Sequence, residues 1–338
     1  MKKYRNCVLA GAAALLLSLT GCTAEIQESE MQICLIGKSA DEYWEMVRAG
    51  AREAGEEMGI DIVYKAPERE EDIDVQIEMI DQAVSCGAQA IIVAPLDADA
   101  LNESLARADN AGIPVLTIDS DVSYEGTKSC ISTHNASAGA LAARQAAAFI
   151  NENGKIAVIA HSDTSQTARE RTEGFVHELE GGVSAQEGSS NAITAESTSG
   201  YPDIEIVEIS NSGGDIQRSR EAAVQIIKEE PDLKLIYATN QTATIGACQA
   251  IRELGVQNQV TLIGFDYFSG AEESITSGVL DGVIVQNPYN MGYLGVRYAR
   301  NLVQGENVAP RVDTGAILVT AENLNDQTIR FLVNPTGE

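Results

Sequence analysis

The chain has 338 residues and carries 50 acidic side chains against 23 Lys and Arg, a formal charge of −27 at pH 7. A surface of that sign repels phosphate backbones and anionic lipid, so nucleic acid is excluded as a partner. Its 44% of hydrophobic residues suit globular folding, and its length exceeds what one core usually holds, so two domains are expected.

The first residues read as an export signal. Lys2, Lys3 and Arg5 precede an apolar run from Val8 to Leu19 that is too short to span a bilayer and ends in small residues. Leu19-Thr20-Gly21-Cys22 follows and resembles the lipobox of bacterial lipoproteins. That resemblance implies cleavage before Cys22, a lipid on its thiol and anchorage to the cell membrane by the lipid alone. A signal peptide that happens to contain a cysteine is the plainer alternative. Residues 1–21 are set aside from the fold, and 22–31 read as the lipidated cysteine and a short polar tether.

From Met31 onward strand-length apolar runs alternate with helix-period segments. In chain order the expected elements are a strand at Gln32–Gly37, a helix at Tyr43–Met58, a strand at Asp61–Lys65 and a helix at Asp74–Ser85. A strand at Ala90–Ala94, a helix at Asp99–Asn110 and strands at Val115–Asp119 and Cys130–Thr133 come next. Then follow helix Ser137–Ile150, strand Ile156–Ala160, helix Arg169–Leu179, strand Ile204–Ile209 and helix Gln217–Lys228. The last are strand Leu235–Thr239, helix Ala243–Leu254, strands Thr261–Phe265 and Gly282–Val285, helix Met291–Leu302 and strand Ala316–Val319. This rhythm predicts an α/β fold of doubly wound, mainly parallel sheets. Gly181 to Pro202 is rich in Gly, Ser, Thr and Ala without apolar periodicity, and is expected as a mobile loop facing away from the ligand.

Cys34, Cys86, Cys130 and Cys248 fall in or beside apolar elements with no metal-ligand spacing, and are expected as buried free thiols, with a disulfide left open. His134, His161 and His177 share no motif, so neither a metal site nor a cofactor is expected.

Six polar segments stand where strand runs end: Asp41-Glu42-Tyr43-Trp44, Ile118-Asp119-Ser120-Asp121, Ala168-Arg169-Glu170-Arg171, Ala238-Thr239-Asn240-Gln241, Gly264-Phe265-Asp266-Tyr267 and Ile284-Val285-Gln286-Asn287. Ligands of open α/β sheets bind beyond the carboxyl ends of the strands, so these segments converge. Aromatics, carboxylates, a guanidinium and carboxamides together suit a small polyhydroxylated ligand.

In this order the segments resemble the type I periplasmic sugar-binding proteins, particularly the ribose-binding and galactose/glucose-binding group. Gly112-Ile113-Pro114-Val115, Glu173-Gly174-Phe175, Ile263-Gly264-Phe265-Asp266, and Gln286-Asn287-Pro288 with Gly292 carry the likeness, which covers nearly all of residues 32–320. Repressor cores of the lactose type share the lobes, but this chain begins with a lipoprotein signal and no DNA-binding segment. The resemblance implies two lobes joined by three hinge crossovers near Thr133, Gln286 and Thr314. It places 31–133 plus 287–314 in the N-terminal lobe and 134–286 plus 315–338 in the C-terminal one. It also implies a ligand site of Asp41, Tyr43, Trp44, Asp119, Ser120, Arg171, Asn240, Asp266 and Gln286. Two departures stand out. Ser120 replaces an arginine of ribose-type members, removing a cationic donor, and Ile216 stands where an aromatic ring is usual. Three carboxylates against Arg171 then disfavour sugar acids and phosphates, and permit neutral or amino sugars.

The reading is a solute-binding lipoprotein, monomeric, that captures a monosaccharide or related polyol and delivers it to the permease of an ABC importer. A sugar-sensing lipoprotein reporting to a membrane receptor or histidine kinase is the alternative. No activated nucleophile or base–orienter pair stands out, so an enzyme is not expected.

Overall fold

The computed structural model describes residues 31–181 and 200–335. The export signal, Cys22, the tether and nearly all of the 181–202 loop lie outside the described residues. In chain order the elements are β1 (Met31–Ile36), α1 (Glu42–Met58), β2 (Ile60–Lys65), α2 (Ile73–Ser85), β3 (Ala90–Val93), α3 (Asn102–Asn110), β4 (Val115–Ile118) and β5 (Cys130–Ser132). Then come α4 (Asn135–Phe149), β6 (Gly154–Ala160), α5 (Gln166–Glu180), β7 (Ile204–Asn211), α6 (Ile216–Glu229), β8 (Leu233–Ala238), α7 (Gln241–Leu254), β9 (Thr261–Phe265), α8 (Ala271–Thr276) and β10 (Gly282–Val285). The last are α9 (Pro288–Val303), β11 (Arg311–Asp313), β12 (Ile317–Val319) and α10 (Gln327–Val333).

The strands form two sheets of the same winding, ordered β11-β5-β4-β3-β1-β2 and β12-β10-β9-β8-β6-β7. Among the described residues every pairing is parallel except β10 with β12. Each sheet is covered on both faces, which is why inner strands such as β3 and β10 are apolar and buried throughout. Along β1 the side chains alternate: Ile33 and Leu35 pack with Trp44, Val47 and Val296, whereas Cys34 and Ile36 pack with Ile80 and Leu105. In the second lobe Ala157 and Ile159 face Ala247 and Ile251, and Ile156 and Val158 face Phe175 and Tyr237. Full burial of each such branched or aromatic side chain contributes about 1.5–3 kcal/mol.

The chain passes between sheets after β5, after β10 and between β11 and β12. Through the second passage α9 returns to lie on α1 of the first lobe. That helix pair needs glycine: a Cβ at Gly50 would strike Tyr289 O, and one at Gly292 would strike Val47 O. The α4–α5 pair of the second lobe repeats the device, with Gly139 against Arg171 O and Gly174 against Ala136 O.

The sequence reading omits β11, α8 and α10. The two helices have six and seven residues, too few to display a helical period, and β11 has three exposed or half-buried residues with no apolar run. One correction concerns thiols. Cys34, Cys130 and Cys248 are buried, but Cys86 is exposed because it is the C-cap of α2, past the face that packs. All four are free.

Candidate functional site

The carboxyl ends of β1, β4, β6, β8 and β9 meet in a narrow cleft between the two sheets, with a cavity of about 20 Å³. Lys38, Asp41, Tyr43, Trp44, Glu70 and Asp119 come from the first lobe, and His161, Thr167, Arg171, Asn240, Gln241 and Asp266 from the second.

Two aspartates oppose each other across it. Asp119 follows β4 and Asp266 follows β9, strands at the same place in their sheets, and both have left-handed backbones, φ 63° and 67°. Asp tolerates that region better than most residues, yet it still costs about 1–3 kcal/mol, and such strain collects at functional positions. Asp119 is gripped from three sides. Tyr43 Oη donates to Oδ1 at 2.9 Å, Lys38 Nζ to Oδ2 at 2.7 Å, and Ser120 Oγ to Oδ2 at 3.2 Å. Burial pushes its carboxyl up, but Lys38 and Arg171 with these bonds outweigh that and hold it below 3.8. Asp266 accepts from Gln286 Nε2 at 2.7 Å and lies 3.8 Å from Arg171 Nη1. Here burial prevails over Arg171 and Gln286 and pushes the carboxyl to about 6.

Arg171 is buried and fixed: Nε donates to Asn135 Oδ1 at 2.8 Å, Nη1 donates to Thr239 O at 2.8 Å, and the guanidinium carbon lies 3.8 Å over the Phe265 ring. Its Nη2 has no protein acceptor among the described residues. Asn240 caps α7, its Oδ1 accepting from Ala243 N at 2.9 Å, so only its amide nitrogen is left to donate. Asp41 caps α1 in the same way, taking Tyr43 N and Trp44 N on Oδ1 and Ser39 Oγ on Oδ2. Tyr43 and Trp44 stand edge to face, centroids 5.1 Å apart, and are also part of the first-lobe core. Neutral His161 completes the floor. Its ring nitrogens lie 2.8 Å from Thr239 Oγ1 and 3.3 Å from Thr167 Oγ1, while burial first, then Arg171 and Lys38, keeps it well below 6.5.

The structure thus gathers Asp41, Tyr43, Trp44, Asp119, Arg171, Asn240 and Asp266 around one space. Ser120 and Gln286 are buried one step behind it, Ser120 on Lys38 and Gln286 on Asp266. Arg169 is exposed and donates to Thr164 O. Lys38 and Glu70 join the lining, which makes four carboxylates against two cations and keeps the same negative excess, and the cation absent at Ser120 is supplied by Lys38 just past β1, its Nζ 2.6 Å from Ser120 Oγ. The signals for Lys38 and His161 are a lone Lys and a lone His just past an apolar strand, at the ends of β1 and β6. Glu70 sits in the charged run Glu68 to Asp72, a pattern that reads as solvated surface. Among the described residues no cluster of His, Cys, Asp and Glu could hold a metal ion.

Residues 33–307 match the model of the periplasmic binding protein domain. The D-ribose/D-allose-binding protein of Pseudomonas aeruginosa is 24% identical over 93% of this chain and 96% of its own length. Among solved structures, a carbohydrate transporter solute-binding protein from Agrobacterium radiobacter, in complex with D-arabinose, aligns with TM-score 0.83 and 29% identity over 91% of this chain and 100% of that one. An ABC transporter solute-binding protein from Agrobacterium vitis with bound D-fucose aligns with TM-score 0.81 and 28% identity, over 89% and 99%. A match over most of the chain that includes every residue lining the cleft shows that the chain belongs to the periplasmic binding protein family.

Proposed function

We propose that this protein captures a monosaccharide between its lobes and delivers it to an ABC importer, held at the outer face of the cell membrane by a lipid on Cys22. The observation that carries the reading is the opposition of Asp119 and Asp266 across a closed cleft, with an unspent donor on each of Arg171 and Asn240 between them. Carboxylates accept from adjacent hydroxyls, guanidinium and carboxamide nitrogens donate to ring and hydroxyl oxygens, and the Tyr43–Trp44 pair offers an apolar face to C–H groups. Relatives named for D-ribose and D-allose, and neighbours holding D-arabinose and D-fucose, support a pentose or hexose. Titration calorimetry against these four sugars should give one-to-one binding for at least one of them. Absence of heat with every pentose, hexose and amino sugar tried would remove the sugar assignment. The anchor has its own test: Cys22→Ser should release the protein from the membrane fraction, and retention there would remove the lipid.

A further inference from the structure

The loop between β2 and α2 of the first lobe meets the loop between β7 and α6 of the second at the mouth of the cleft. Glu71 and Arg218 form a two-point bridge there, Nη1 to Oε1 at 2.8 Å and Nη2 to Oε2 at 3.0 Å. Gly213 and Gly214, with φ 61° and 70°, make room for it. A Cβ at Gly213 would fall 2.5 Å from Glu71 Oε1, and one at Gly214 would fall 3.2 Å from Glu70 Oε2.

One residue before the pinned Glu71, Glu70 joins the cavity lining, with Lys38 the strongest counter-charge on it. Among the described residues it is the one cavity carboxylate with no hydrogen-bond donor. Asp41 has Ser39 and two amides, Asp119 has Lys38 and Tyr43, and Asp266 has Gln286. Lys38 carries three N–H donors and directs two of them at Asp119 and Ser120. An unfilled acceptor and an unspent donor therefore share the lining of one cavity, the pairing that a hydroxyl group satisfies.

We propose that Glu70 is a specificity-determining contact that accepts from one hydroxyl of the bound sugar, and that the Glu71–Arg218 bridge positions it by fastening its loop across the closed cleft. This rests on the sugar-binding reading above. A carboxylate can only accept, so an epimer whose hydroxyl points elsewhere leaves Glu70 half-buried and unpaired. Glutamine can donate or accept and reads the position less strictly. The bridge is half-exposed and touches no ligand, so its loss weakens every ligand alike and modestly.

The test is calorimetry of the wild type and variants with D-ribose, D-allose, D-arabinose, D-fucose and D-tagatose. Glu70→Gln should weaken the best-bound sugar by about tenfold and the poorer ones by less, compressing the range of affinities. Glu71→Gln and Arg218→Gln should each weaken all of them by the same factor, about two to five, with the deficit shrinking in about 1 M NaCl. The exchanged pair Glu71→Arg with Arg218→Glu should restore wild-type affinities. If Glu70→Gln keeps each affinity within twofold and the order unchanged, Glu70 is no specificity determinant. Failure of the exchanged pair to recover binding overturns the bridge. Wild-type protein that binds none of the five overturns the sugar reading itself, a result distinct from either.

Discussion

Buried charges at the cleft are held at individual residues by partners that can be removed one at a time. Asp119→Ala should leave Lys38 buried against Ser120 alone, and Arg171→Ala should leave Asp266 with Gln286 as its remaining partner. Each should cost about 2–5 kcal/mol of ligand affinity with circular dichroism unchanged, and a variant that binds within threefold of wild type would show that its residue does not touch the ligand. Asp266 adds a pH dependence. Its carboxyl rises from 3.8 to about 6 on folding, so the native state holds the proton more tightly than the unfolded chain. The stabilisation is complete below pH about 4 and is lost as pH rises to about 6, about 3 kcal/mol in all. Denaturant titrations of ligand-free protein should show wild type losing stability across that interval relative to Asp266→Asn, and parallel curves would refute the assignment.

Among the elements, the close helix pairs decide how the lobes are built. In both α1–α9 and α4–α5 a glycine on each helix lies against a backbone carbonyl of the other, so any side chain forces the helices apart. Gly292→Ala should destabilise the protein by about 1–3 kcal/mol, an overpacking cost, and lower Tm accordingly. Because α9 lies on α1, whose N-cap is Asp41, a shift of that pair should weaken ligand binding too. A Tm within a degree of wild type would show that the contact relaxes freely. Helix caps coincide with polar strand-end segments: Asp41, Asn240 and Asn287 each accept from the first turn of their helices. Asp41 and Asn240 were read as ligand contacts, and Asp41 spends one oxygen on its cap and the other on Ser39 Oγ.

Across the whole molecule the cleft is closed, with its walls split between two lobes joined by three passages of chain. Neither lobe alone surrounds the cavity, so a ligand that touches both must favour closure through differential contact. Hinge closure is the motion known for periplasmic binding proteins. Small-angle scattering should give a smaller radius of gyration with bound sugar than without, and Asp266→Ala should abolish the difference by removing one carboxylate from the second lobe's grip. Equal radii under saturating ligand would reject the clamp.

What the sequence determined by itself follows from local physics. Apolar runs alternating with helical periods specify parallel sheets covered on both faces, and polar residues just past strand ends specify where a site forms. Asp119, Arg171, Asn240 and Asp266 were legible for that reason, each one to three residues beyond a strand or on the first turns of the following helix. Tertiary structure alone decided which charges meet. Lys38 reaches Asp119 and Ser120, 81 and 82 positions away, and Glu71 meets Arg218 across 147. No spacing rule links residues so far apart, because their separation is set by how β1 stands in its sheet and how one lobe closes on the other. Burial acts at the same scale. It keeps His161 neutral and raises Asp266 while Lys38 holds Asp119 down, so chemically similar side chains acquire different roles from the field around them.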